Sequence, residues 1–314
     1  MFSKFYQGLI ILVTILASGC SEAPVDEAAK TQKPNENVLI LKAVGLTFEG
    51  KNEIPSGWVT IKFQNLSPMI HLALIEKLPD GVSAKDLSNE VMAIFQKSLD
   101  LSAAGDIEGS TKVFEDLPEW FGGLAFYGGP GLLSAGGESE VTVYLEPGIY
   151  VIECYIKSNG ILHNYSPDPE TLGMIHELVV SNEKGEGVEP AFDVELEISS
   201  NGYEILSGSF SPGRNTVKTT FADQKVYPTL VGHDAHVVRL EEGLDVDALM
   251  HWVNFANADG QVTPSPYQFV GGTHDMPAGS ITYFTVDIEA GQYAIIGEIP
   301  DAKASGHYLE FEVK

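Results

Sequence analysis

The stretch Tyr150-Val151-Ile152-Glu153-Cys154-Tyr155-Ile156-Lys157-Ser158-Asn159-Gly160-Ile161-Leu162-His163 leads through Pro167 and Pro169 to Gly173-Met174-Ile175-His176-Glu177-Leu178-Val179-Val180. Tyr150–Glu153 and Glu177–Val180 are short runs of β-branched, aromatic and aliphatic residues, which predicts two strands joined by a long loop. Outward from it, Val38–Leu41, Trp58–Phe63, His71–Ile75 and Val141–Leu145 read the same way, each bounded by Gly, Pro or Asn. One helix interrupts the pattern, from about Ala84 to Leu99. Leu87, Val91, Met92, Phe95 and Leu99 fall on one face, and Ser83 stands at the N-cap position.

The chain then repeats itself. The segment from Gly128 to Ile156 aligns without a gap with that from Gly271 to Ile299, at an offset of 143 residues, and 11 of 29 positions are identical. His71 ahead of Leu78 and Gly81 corresponds to His236 ahead of Leu240 and Gly243. So long a period marks a duplicated domain. The expected fold class is all-β, two Greek-key β-sandwiches in tandem with a helical insertion in the first. The expected bodies are 38–181 and 194–314, joined by a glycine-containing acidic linker over 182–193.

The amino terminus reads as an address. Lys4 precedes the apolar run Gly8–Ala17, which is short for a membrane span, and small residues lead into Cys20. The segment Ala17-Ser18-Gly19-Cys20 resembles a bacterial lipobox. That resemblance implies a signal peptide over 1–19, lipid on the Cys20 sulfur, and a polar tether over 20–37. Ser21, rather than Asp, after the cysteine implies the outer membrane, with the protein lipid-anchored in the cell envelope. The chain carries 44 acidic against 18 basic residues, a net charge of −26. That excess disfavours nucleic acid as a partner and favours a basic protein. Only two cysteines are present; with Cys20 acylated, Cys154 is left as a lone thiol.

A lone buried thiol is often a small hydrophobe, and a histidine at a strand start is often a satisfied core residue. Here they come in a particular order. Two imidazoles, His71 and His163, one thiolate, Cys154, and one thioether, Met174, make the ligand set of a type 1 copper site. The stretch from Tyr150 to Val180 is similar to the terminal Cys…His…Gly-Met loop of the cupredoxin family. The resemblance covers about Val38 to Ser181, with a weaker copy over Val194 to Lys314. It implies one copper held by His71, Cys154 and His163 with Met174 axial. The ten residues between His163 and Met174 make a longer gap than in most small blue copper proteins, and His176 competes with Met174.

In the second copy Gly297 stands where Cys154 stands in the first, so a type 1 site is excluded there. His233, His236, His274 and His307, with Met276, remain as a possible second metal group, or as histidines of a structural module. Two-domain copper oxidases and nitrite reductases resemble one another in placing a histidine beside the type 1 cysteine. Here Glu153 and Tyr155 flank Cys154, and Glu76 and Lys77 stand where a second histidine would follow His71. No second copper site is evident, and no G-x-S-x-G, HExxH, P-loop or Rossmann motif occurs. The sequence therefore predicts a non-enzymatic, copper-binding periplasmic lipoprotein that transfers single electrons. Copper storage or delivery, and a metal-free binding lipoprotein, are the alternatives.

Overall fold

The computed structural model describes residues 37–314. The lipobox, Cys20 and nearly all of the expected tether lie outside the described residues. The strands of the first half are β1 (Val38–Val44), β2 (Thr47–Glu49), β3 (Glu53–Asn65), β4 (Leu74–Lys77), β5 (Ala125–Phe126), β6 (Glu138–Leu145), β7 (Gly148–Glu153), β8 (Lys157–Ser158), β9 (Ile161–Leu162) and β10 (Ile175–Lys184). Those of the second are β11 (Val194–Ser199), β12 (Gly202–Gly208), β13 (Gly213–Phe221), β14 (Ala235–Leu240), β15 (Phe269–Thr273), β16 (Ile281–Ile288), β17 (Gly291–Ile296) and β18 (Tyr308–Val313).

Alternation builds both halves. Along β1, Leu39, Leu41 and Ala43 are buried and their neighbours are not; along β13, Asn215, Val217, Thr219 and Phe221 are buried in the same period of two. The thirteen-residue β3 serves both layers of the first sandwich. Its start pairs in parallel with β10, and its later part pairs with β1 and β6. The facing layer runs β10-β7-β4-β5. In the second half β12-β11-β13-β16 faces β15-β14-β17-β18. Leu41, Ile61, Phe63 and Val143 fill the first interior, and Val217, Val237, Phe284 and Ile295 the second. Each such side chain contributes about 1.5–3 kcal/mol by leaving water. The fold is all-β and carries two sandwiches in tandem.

The halves are fused rather than strung. β16 pairs with β6 through Tyr283↔Thr142, Phe284↔Val141 and Thr285↔Glu140, and the described residues belong to one unit. Arg214 donates to both oxygens of Glu140 across this seam, at 3.1 and 2.6 Å. The Lys157 ammonium, buried, donates to the carbonyls of Phe255, Asn257 and Gly260. β10 continues to Lys184, into the stretch read as linker, because Ser56 Oγ donates to the Glu183 carbonyl and the Lys184 position pairs with Ser56.

The helical insertion begins at the expected cap. Ser83 Oγ accepts from the Asp86 amide, and the Asp86 carboxylate accepts from the Ser83 amide. The helix runs Ala84–Asp86, Leu87–Met92 and Ala93–Ala103, with the middle segment wound as a π-helix. Leu87, Val91 and Met92 pack on Val151 and Ile175, over one edge of the first sandwich. Among the described residues no helix is long and apolar enough to cross a membrane.

Candidate metal centre

His71 lies in the segment leading into β4, and its place is set by its backbone. Its amide donates to the Leu133 carbonyl at 3.1 Å and its carbonyl accepts from the Leu133 amide at 2.8 Å. Asn65 Nδ2 donates to the same Leu133 carbonyl and to that of Met69, closing the turn before the histidine. Cys154 ends β7. The loop after it is clasped by three backbone bonds: the His163 amide to the Ile156 carbonyl, the Met174 amide to the His163 carbonyl, and the Cys154 amide to the Met174 carbonyl. Gly173 is required by close approach: a Cβ there would lie 2.2 Å from the Asn164 carbonyl carbon.

This brings three of the four expected donors together. Cys154 Sγ lies 3.5 Å from His71 Nδ1 and 3.6 Å from His163 Nδ1, and all three donor atoms fall within 4.8 Å of one another. Bonds of about 2.0–2.1 Å to nitrogen and 2.3 Å to sulfur at near-tetrahedral angles leave N···S separations of about 3.5 Å. The donor set and spacing therefore fit a single ion of the copper class. His163 Nε2 is 2.7 Å from Ser158 Oγ, which in turn meets Thr263 Oγ1 at 2.9 Å. With the proton on Nε2, Nδ1 is left free to coordinate. Met174 is buried, and both its backbone groups belong to the loop clasp. His176 is not at the centre: its Nε2 bonds the Lys51 carbonyl at 3.0 Å.

Burial sets the protonation of the group. It lowers His71 to about 4 and His163 to about 3, the latter aided by the neighbouring His71 charge. It pushes the Cys154 thiol up to about 12, against the backbone amides of Leu72 and Ile156, which hydrogen-bond the sulfur. All three donors are neutral at pH 7 without an ion, and a metal displaces one proton, from the thiol.

The four histidines of the possible second metal group separate into two pairs. His236 and His274 join Asp234 and Glu298 in a fully buried cluster whose donor atoms lie within 4.8 Å of one another. His236 Nδ1 accepts from the Leu132 amide at 3.1 Å, and its Nε2 lies 2.7 Å from Asp234 Oδ2. Tyr155 donates to Glu298 Oε1 at 2.6 Å, and its oxygen lies 3.1 Å from His274 Nδ1. His233 and His307 instead stack on each other, ring centroids 4.4 Å apart. Met276 is buried nearby in chain order, with its carbonyl taken by Gln224. Asp234 and Glu298 escaped the sequence reading because they are two of 44 acidic residues. The available signals were the spacing His233-Asp234-Ala235-His236 and the place of Glu298 opposite Tyr155 in the repeat. Gly297 has no room for a thiol: a Cβ there would meet Tyr203 Oη at 2.9 Å and Asp234 Oδ1 at 3.3 Å.

No protein-family model and no curated protein matches the chain. Among solved structures it is similar to auracyanin from Roseiflexus castenholzii, at 19% identity over 47% of this chain and 98% of that one, with a TM-score of 0.25. A multicopper oxidase matches at 11% identity over 88% of each chain, with a TM-score of 0.22. The copper-containing nitrite reductase of Thermus scotoductus matches at 13% over 88% of this chain and 61% of that one, with a TM-score of 0.21. The expectation of a non-enzymatic protein is corrected here. The multicopper oxidase and the nitrite reductase that match along 88% of the chain are enzymes, and a second buried group able to hold a metal is present in the second half. At these identities the likeness brings no activity or substrate to this chain.

Proposed function

We propose that the first half would hold one copper ion through His71 Nδ1, Cys154 Sγ and His163 Nδ1, with Met174 as a further thioether donor, and would pass single electrons through it. The N···S separations of 3.5 and 3.6 Å carry this reading, since they need no rearrangement to accept an ion. Bound copper supplies the one-electron couple. The chain supplies a fixed frame: two strand ends, one clasped loop and the Ser158 anchor hold the donors, so their positions change little between oxidation states. The Leu72 and Ile156 amides stabilise negative charge on the sulfur. His71 and Cys154 are completely buried, which suits electron transfer better than exchange of the ion with a recipient.

In this reading Cys20, outside the described residues, bears lipid and ties the protein to the outer membrane of a bacterial envelope. The charge of −26 steers it to a basic redox partner. The test is copper analysis and visible spectroscopy of the purified full chain. One copper per chain with an intense blue band that vanishes in Cys154→Ser is expected. Tight Cu(I) binding without a coloured Cu(II) form would shift the reading to delivery, and no stoichiometric copper would remove both.

A further inference from the structure

A cavity of about 50 Å³ opens where the two halves and the helical insertion meet. Leu74, Met92, Phe95 and Phe121 form its apolar side; Glu76, Glu153, Asn164, Thr229, Asp275 and Glu298 form the other. No lysine, arginine or histidine lines it. Four oxygen atoms of these residues, Glu76 Oε2, Glu153 Oε2, Asn164 Oδ1 and Thr229 Oγ1, are buried without a hydrogen-bond partner. Glu76, Glu153 and Asn164 are themselves 4%, 4% and 2% exposed.

The fold forces the two glutamates into this arrangement. Glu153 of β7 pairs with Leu74 of β4, so Glu76, two residues along, sits diagonally from it on the same face. Like charges on neighbouring strands repel, and more strongly away from water. Once Glu76 and Glu153 are ionised, three of the four orphan atoms are pure acceptors. One water donates only two hydrogens, and water brings no compensating charge; a cation meets all the acceptors at once.

We propose that this cavity is a second metal site, taking a hard divalent cation of the Ca²⁺ or Mn²⁺ class through Glu76, Glu153 and the side-chain carbonyl of Asn164, with Asp275 and Glu298 supplying further negative charge. Carboxylate and carbonyl oxygens select such ions over copper. Glu153 directly precedes Cys154 and Asn164 directly follows His163. The cation therefore braces the same two segments that carry the first centre, though its binding does not depend on copper there.

The test is Mn²⁺ binding to the metal-stripped full chain, read by electron paramagnetic resonance with Ca²⁺ as competitor. One Mn²⁺ per chain is expected in the wild type and in Cys154→Ser, so a failed copper reading leaves this result standing. Glu76→Gln/Glu153→Gln is expected to weaken binding by about 100-fold. Should that variant not fold, anomalous scattering from a wild-type crystal soaked in Mn²⁺ decides, with a peak expected between Glu76 and Glu153. No stoichiometric Mn²⁺ or Ca²⁺ at millimolar concentration, unchanged affinity in the folded double variant, or a peak elsewhere would each overturn the proposal.

Discussion

Cys154 enters the folded chain as a neutral thiol, because burial pushes it up to about 12, while His71 and His163 stay neutral down to about 4 and about 3. Metal uptake at pH 7 must therefore release one proton and no more. The logarithm of apparent affinity is expected to rise by about one per pH unit between roughly pH 5 and 9, and to steepen below about pH 4 as first His71 and then His163 takes a proton. Competition against a chelator across that range measures the slope; a slope of zero would remove Cys154 from the ligand set. Ser158→Ala, which frees His163 to turn, is expected to weaken binding by about 10-fold with no loss of the fold. The convergence of His71, Cys154 and His163 was legible because each residue type is scarce and the spacing around them is rigid. Asp234 and Glu298 were not, since an abundant residue type carries no signal until the backbone shows which members share an interior. The separation of His233 and His307 from His236 and His274 was illegible for the same reason. All four come from loops or strand edges of the second copy, and only local turns decide which way each ring faces.

At the scale of elements, the alternating strands and the insertion were readable from period alone. Ser83 caps the helix as its sequence indicates, but the π-helical turn over Leu87–Met92 left no trace in the apolar pattern. That turn keeps Leu87, Val91 and Met92 buried while Phe95 stays half-buried, a shift of face that a uniform helical period does not contain. The loop between His163 and Met174 shows how an element positions a donor. Gly173 packs against the Asn164 backbone so closely that any side chain must part the two arms of the clasp. Gly173→Ala is expected to cost about 1–3 kcal/mol in urea denaturation and to lower metal affinity, because His163 and Met174 share one backbone bond across that contact. Unchanged stability with unchanged affinity would show that the clasp does not hold the donors. In the second half Gly297 stands at the position of Cys154, and Tyr203 and Asp234 crowd the place where a thiol would go, so duplication kept the sandwich and filled that place with packing.

The whole molecule carries two opposed sets of buried titrating groups, and their balance fixes its response to pH when no metal is bound. Burial lowers His233 and His236 to about 4 and holds His274 well below the usual histidine range, so the unfolded chain binds protons that the folded one refuses. Stability from this set is present above the ordinary histidine value and is lost as pH falls through it toward 4. Burial raises Glu298 to about 7, and Asp234, Asp275 and Glu76 well above their usual range, the last three aided or held by neighbouring carboxylates and backbone amides in differing degree. Here the folded chain keeps protons that the unfolded one gives up, so stability is full below about 4.5 and is lost as pH rises through 7. The Glu298 shift alone corresponds to a contribution on the order of 3 kcal/mol. The acidic surface adds repulsion in the same alkaline direction. The two sets leave a maximum in melting temperature near about pH 5–6 for the metal-free protein in chelator, with a fall on both sides. Glu298→Gln, whose amide oxygen still accepts from Tyr155, is expected to flatten the alkaline limb and leave the acid limb in place. A melting temperature that climbs steadily from pH 5 to 8 would mean that the buried carboxylates are ionised in the native state and that the chain supplies its own counter-charge.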